Sequence, residues 1–282
     1  MNKIKFSATG LRWFVLKIIF VSLILYKLIR LFRSKDFNLH MRQFGVFRDS
    51  LPAALFSSIL EEQFSGNNRP ISLVDIGANY GLFFRQTDYF KEQRVLAFEP
   101  NKSLHQNYGS NFIWVDKALS DKGGVIEFYV DRNHTGGSSL IQTSSHDEII
   151  EVSVCALDEF ISEDLLVDAI KIDVEGSELK VLHGAVQVIS SRLPLLMIES
   201  SASKMNLIAK LLPDYSFYEI NTPGLDFDAN AIRRIVSLIK LFINGASELS
   251  QLGFEETEER YIDNILCVPP SFEISKDIKV SL

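Results

Sequence analysis

Ser72-Leu-Val-Asp75-Ile-Gly77-Ala78-Asn79-Tyr-Gly81 and Val95-Leu-Ala-Phe98-Glu99-Pro100 decide how this chain is read, Glu99 falling eighteen residues past Gly81. Each is a short apolar run that ends in an acid, the pattern of a strand buried on both faces of a parallel sheet. Gly77 and Gly81 bracket a tight strand-to-helix turn in which backbone can approach a ligand closely. Glu99 stands where a carboxylate accepts hydrogen bonds from two vicinal ribose hydroxyls. A glycine pair alone serves backbone geometry as readily as binding. Two acidic strand ends at this spacing point instead to a nucleoside crevice.

The spacing Gly77-x-x-x-Gly81 differs from the G-x-G-x-x-G that rests a diphosphate on a helix N-terminus. A carboxylate at Asp75 would repel a diphosphate, yet it suits a ligand carrying an amino group and a sulfonium, such as S-adenosylmethionine.

The chain has 282 residues and a net charge of −7. Residues 1–35 hold eight Lys or Arg and no acid, which leaves 21 basic against 36 acidic residues in the remainder. An acidic body without a basic patch interleaved with aromatics excludes nucleic acid as a partner. Cys155 and Cys267 lie in apolar, strand-like stretches without zinc spacing, and the five histidines form no H-x-x-x-H pair, so no metal is expected.

Residues 11–32 form a helix-length apolar stretch broken by Arg12, Lys17, Lys27 and Arg30. About 20 residues suffice to cross a hydrocarbon core. No small-x-small cleavage site follows, so residues 1–35 are expected to act as an uncleaved membrane anchor. A single-pass helix and a helix lying in the membrane surface both suit the pattern, because Lys17, Lys27, Arg30 and Lys35 cluster on one face. By the basic excess after the stretch, the body is expected in the cytoplasm.

Residues 36–69 read as a linker followed by a helix that starts at Ser50 and Pro52 and buries Leu55, Phe56, Ile59 and Leu60. From residue 70 onward the pattern alternates. It predicts strands at 71–76, 94–99, 112–116, 125–130, 169–173, 195–199, 216–220 and 264–268. Helices are expected at 81–90, 102–108, 176–190, 202–212 and 229–243. The rhythm argues for an α/β fold with a mostly parallel sheet and helices on both faces. Gly136-Gly-Ser-Ser139 is a polar loop that either shapes a substrate mouth or simply joins two strands.

A third strand ends in acids at Ile170-Lys-Ile-Asp173-Val-Glu175-Gly176-Ser-Glu178. Glu178 near a helix N-terminus has an ordinary capping role available; Asp173, at the end of a central strand, would share the crevice of Asp75 and Glu99. With this run the chain resembles the FkbM-type family of S-adenosylmethionine-dependent methyltransferases. The matching segments are VDIGANYG (74–81), AFEPN (97–101), ALSDKGG (118–124), GSSL (137–140), LDEF (157–160), IKIDVEGSELKVLHGA (170–185) and NILCVP (264–269).

The resemblance implies a seven-stranded, Rossmann-like class I methyltransferase fold over 70–282 and methylation of a hydroxyl on a sugar, glycolipid or other small metabolite. It implies that Asp75, Gly77, Ala78, Asn79 and Gly81 contact the amino-acid end of the cofactor. Glu99 and Pro100 would lie at its ribose, Asp116 and Ala118 beside its adenine, and Asp173 near the reacting methyl. Phe84-Arg85 departs from the family, which often carries a small hydroxylated residue there. The acceptor hydroxyl must lose a proton, and Asp173, Glu175, Glu199 and the loop residue His134 are the candidate bases. His134 reads more readily as an exposed loop residue, and Glu199 equally as a cap of the following helix.

Two other functions remain open at this point. One is a nicotinamide-dependent oxidoreductase, and the other a non-catalytic, membrane-tethered binding module. The anchor points to a membrane-associated acceptor such as a lipid-linked sugar.

Overall fold

Strand β1 (Ser72–Ile76) sits near the middle of the sheet because every residue after Ser72 is buried, as its unbroken apolar run requires. It pairs in parallel with β2 (Arg94–Phe98) on one side and with β7 (Ala169–Ile172) on the other. The computed structural model describes residues 52–131, 138–140, 148–221, 248–252, 261–272 and 274, all within one compact unit spanning 52–221 and 247–280.

Beyond β2 lies the edge strand β3 (Phe112–Val115); beyond β7 come β8 (Leu195–Ser201), β11 (Tyr261–Val268), β9 (Ser216–Asn221) and β10 (Glu248–Gln251). The order is β3-β2-β1-β7-β8-β11-β9-β10, with β11 antiparallel to both its neighbours. The first seven strands in that order form the expected mostly parallel core. The eighth, β10, adds to the edge from a stretch where the sequence carries no strand signal. A second sheet, β4 (Ala118–Leu119), β6 (Glu148–Cys155) and β5 (Gly124–Val130), stands apart from the first. Strand β6 was not anticipated as an element, although Cys155 was read as strand-like.

Alternation along the strands sorts side chains between two faces. Val74, Ile76, Ile170, Ile172, Leu196 and Ile198 share one core with Val181, Leu182, Val188, Ile189, Met205 and Ile208 from the helices that follow β7 and β8. Residues of opposite parity, Asp75 and Lys171 among them, face the other way. There the Phe83 ring lies 5.4 Å from the Lys171 Nζ, and Phe83, Phe84 and Phe90 pack on Phe56 of helix α1 (52–63). Phe84 is fully buried in this aromatic cluster. The departure from the family at this position is thus a packing contact with the N-terminal helix.

Three expected helices are broken or shortened. The stretch 81–90 is a 3-10 turn (Phe83–Arg85) and a short helix α2 (Asp88–Lys91), since Phe84 leaves helical geometry and the Thr87 side chain caps a new start by accepting the Phe90 N–H. At 102–108 only Lys102–Leu104 closes a 3-10 turn. The stretch 176–190 divides into α4 (Glu178–His183) and α5 (Val186–Arg192). Gly184 caps the end of α4, and Asp158, in α3 (Leu157–Phe160), starts α5: its carboxylate accepts the Gln187 and Val188 N–H groups at 3.0 and 2.8 Å, capping that helix from a distant segment. Helix α6 (Met205–Leu211) follows β8 as expected.

Ser50, the proposed 229–243 helix and the anchor segment 1–35 lie outside the described residues. Among the described residues no helix is long and apolar enough to cross a membrane.

Candidate active site

The C-terminal ends of β1, β2 and β7 meet at one crevice, as topology requires of parallel strands whose order reverses about β1. Gly77 and Ala78 both donate their N–H groups to the Phe98 carbonyl at 3.0 Å, and Asp173 donates to the Ile76 carbonyl at 3.0 Å. These bonds tie the three strand ends together. Gly77 has φ +77°, and a Cβ on it would fall 1.8 Å from the Asp173 carbonyl oxygen, so no other residue lets the β1 and β7 turns pack this closely. Gly81, at φ +70°, serves the neighbouring contact: a Cβ there would meet Phe112 and Trp114 of β3 at 2.7 and 3.0 Å.

The crevice holds about 570 Å3 of empty space, mouth included. Its polar lining is Asn79, Glu99, Ser138, Asp173 and Glu175, and its apolar lining includes Phe98, Leu119, Phe128, Leu140 and Val174. Gly77, Pro100 and Ala118 complete it. Among the described lining residues there is no Lys, Arg or His.

Glu99 is 5% exposed, and its two oxygens accept the N–H groups of Asn79 and Asn101 at 3.0 and 2.8 Å. The carboxylate is therefore fixed in orientation before any ligand arrives. Burial pushes its pKa up to about 7, against the two N–H donors that favour the charged form. Asp75 is completely buried, neither oxygen has a hydrogen bond, and burial raises it to about 6 despite Lys171 beside it.

Both acids bind protons more tightly in the folded chain than at the ordinary values of 4.5 and 3.8. Their contribution to stability is consequently full below about pH 4 and is lost as pH rises through about 6 and 7. Urea midpoints of the unliganded protein should show this fall between pH 4.5 and 7.5, and Glu99→Gln should flatten its upper part. An unchanged profile in Glu99→Gln would show that Glu99 is not the titrating group.

Several residues singled out from sequence line the crevice: Gly77, Asn79, Glu99, Pro100, Ala118, Asp173 and Glu175. Others do not. Asp75 and Ala78 lie beneath its floor, Gly81 packs on β3, and Asp116 points outward in an ion pair with Lys102. Glu199 lies inside β8, one residue past the Ile172 and Ile198 pairing and so level with Asp173. His134 falls outside the described residues. Glu178, 3% exposed, is structural: it accepts the Gly176 N–H at 2.6 Å and the Lys204 ammonium at 2.6 Å, holding the turn after β7. Among the described residues no cluster of His, Cys, Asp and Glu could hold a metal ion.

The polar loop did more than join strands. Ser138 and Leu140 line the crevice, Ser139 pairs with Tyr129 through its backbone, and its hydroxyl donates to the Glu175 carbonyl at 2.8 Å. The second sheet is thereby pinned to the turn after β7, where Glu175 adopts a left-handed φ of 48°.

The Methyltransferase FkbM domain model matches residues 75–241, more than half of the chain. The chain belongs to the FkbM methyltransferase family. Among solved structures, the chain is similar to methyltransferase FkbM from Methylobacillus flagellatus KT, at 18% identity and a TM-score of 0.41. That match covers 72% of this chain and 45% of the other, so the present chain spans less than half the length of that relative. The plantazolicin methyltransferase BpumL, solved with a desmethylPZN analog and SAH, matches at 11% identity and TM-score 0.38, over 85% of this chain and 93% of its own. Precorrin-6y C5,15-methyltransferase from Geobacter metallireducens GS-15 matches at 11% identity and TM-score 0.31, over 75% and 87%. No curated protein sequence matches the chain.

Sequence reasoning missed the apolar wall and Lys171. The wall had a signal in the strand pattern of Val125 to Val130 and in Leu140 of the GSSL segment. Lys171 had none, because a single lysine in an apolar strand is indistinguishable from an edge residue until its neighbours are known.

Proposed function

We propose that this protein is an S-adenosylmethionine-dependent O-methyltransferase acting on a hydroxyl of a sugar, glycolipid or other small metabolite. The observation that carries the reading is the preset carboxylate of Glu99, held by two backbone N–H groups beside an apolar wall. A nucleoside fits such a pairing, with its ribose hydroxyls donating to Glu99 and its base against Leu119, Phe128 and Leu140. The acidic lining around the Gly77 turn suits the positively charged end of S-adenosylmethionine, for which Gly77, Asn79 and Asp173 are the contacts. That cofactor supplies an electrophilic methyl group on a sulfonium.

The chain's own residues then have two tasks. They hold the acceptor oxygen in line with that methyl, an alignment worth about 7–11 kcal/mol in well-oriented reactions. They also take the hydroxyl proton, for which Asp173 is the candidate at the crevice wall, with Glu175 beside it.

The buried carboxylate of Asp75 under the Gly77 turn disfavours a dinucleotide and hence an oxidoreductase. Thermal shifts should rise with S-adenosylmethionine and S-adenosylhomocysteine and stay flat with NAD; the reverse result would overturn the assignment. Transfer of labelled methyl from S-adenosylmethionine into a lipid or glycan extract distinguishes an enzyme from a binding module. The basic apolar segment 11–32 supports membrane attachment with a cytoplasmic body and hence a lipid-linked acceptor. Release of the full-length chain from membranes by alkaline carbonate would exclude a spanning helix.

A further inference from the structure

Lys171 is a cation inside the sheet, 9% exposed, directly across from Asp75 in the β1–β7 register. Its Nζ donates to Asp173 Oδ2 at 3.0 Å and lies 3.6 Å from Asp75 Oδ1, an ion pair beyond hydrogen-bond length. The Phe83 ring covers it from the side of helix α1. Burial works against the ammonium, but Asp173 and Asp75, with Glu199 adding to them, hold its pKa above the ordinary lysine value. It stays charged, and so it has no lone pair with which to accept a proton from an acceptor hydroxyl.

Of the three members of this buried triad, only Asp173 lines the crevice. Lys171 engages one of its two carboxylate oxygens. We propose that Lys171 is a positioning residue for methyl transfer, acting through Asp173, whose carboxylate it holds in one orientation toward the cofactor's charged end. Asp75 offsets the buried charge of the lysine, while the contact with Asp173 is made by the lysine's own hydrogen bond. This inference rests on the methyltransferase reading.

Removing Lys171 alone strands a buried Asp75 carboxylate, and such a loss strongly destabilises a fold. Lys171→Met is therefore expected to lower the thermal midpoint, and adding Asp75→Asn to restore it. The informative comparison is made in that rescued background. Calorimetric titration with S-adenosylmethionine should show Asp75→Asn/Lys171→Met binding about tenfold more weakly than Asp75→Asn. With Asp173→Asn present in both proteins, the Lys171→Met step should no longer weaken binding.

A lysine that merely adds positive charge near the crevice makes the opposite prediction: its removal would tighten binding of a cationic ligand. Tighter or unchanged binding overturns the proposal, as does an equal loss with and without Asp173→Asn. If the wild-type protein binds neither S-adenosylmethionine nor S-adenosylhomocysteine, the methyltransferase reading falls and this inference falls with it. Wild-type binding with an indifferent Lys171→Met step removes the inference alone.

Discussion

Gly77→Ala should abolish measurable binding of S-adenosylmethionine, with a loss of 100-fold or more, and should destabilise the fold by about 2–5 kcal/mol. Two costs combine. An alanine at a left-handed φ of +77° is strained by about 1–2 kcal/mol. Its methyl would also stand 1.8 Å from the Asp173 carbonyl oxygen, which is backbone and cannot rotate away. Relief requires the β1 and β7 turns to separate, at a typical overpacking cost of about 1–3 kcal/mol. Those same turns present Asn79 and Asp173 to the crevice, and the Asn79 N–H holds Glu99, so the separation dismantles the site.

Gly66 provides the control. It also has a positive φ, +91°, but nothing lies within 4 Å of a Cβ added there. Gly66→Ala should cost only the dihedral strain and leave cofactor affinity intact. Urea unfolding and calorimetric titration of both variants separate the two contributions. If Gly77→Ala bound the cofactor like wild type, the turn would not be part of the binding site.

Asp173→Asn should lower methyl transfer by about 10²–10⁴-fold, the usual range when a positioned proton acceptor is removed. The substitution keeps size and still offers Lys171 an amide oxygen, so the fold should survive with a thermal midpoint near wild type. What disappears is the negative charge at the crevice wall and the capacity to take a proton. Labelled methyl transfer into a lipid or glycan extract, measured beside cofactor affinity, reads the two losses separately. Turnover near wild type with unchanged affinity would remove Asp173 from the mechanism.

The strands were legible because their signal is local. Ser72–Ile76, Arg94–Phe98, Ala169–Ile172 and Leu195–Ser201 are apolar runs bounded by turns, and burial on both faces demands just such composition. The helices were less legible, because their ends depend on distant groups. Within residues 176–190 Gly184 marks where α4 ends, but nothing local announces that a new helix starts; the N–H groups that begin α5 are capped by Asp158, nearly thirty residues earlier. The edge strand β10 was invisible for a similar reason, since its pairing partner, β9, supplies what its own four residues lack.

Within the site, sequence order alone identified three acidic strand ends and the Gly77 turn, and with them the family. Spacing of apolar runs, glycines and acids is a one-dimensional property, and the parallel topology converts it directly into a shared crevice. Which acid does what was decided in three dimensions. Asp75, Glu99 and Asp173 look equivalent along the chain, yet one is sealed against Lys171, one lines the crevice pinned by two backbone N–H groups, and one lines it hydrogen-bonded to Lys171. The physical reason is that a carboxylate's role depends on its burial and on the charges and donors packed around it, and these come from other strands whose register no local pattern encodes.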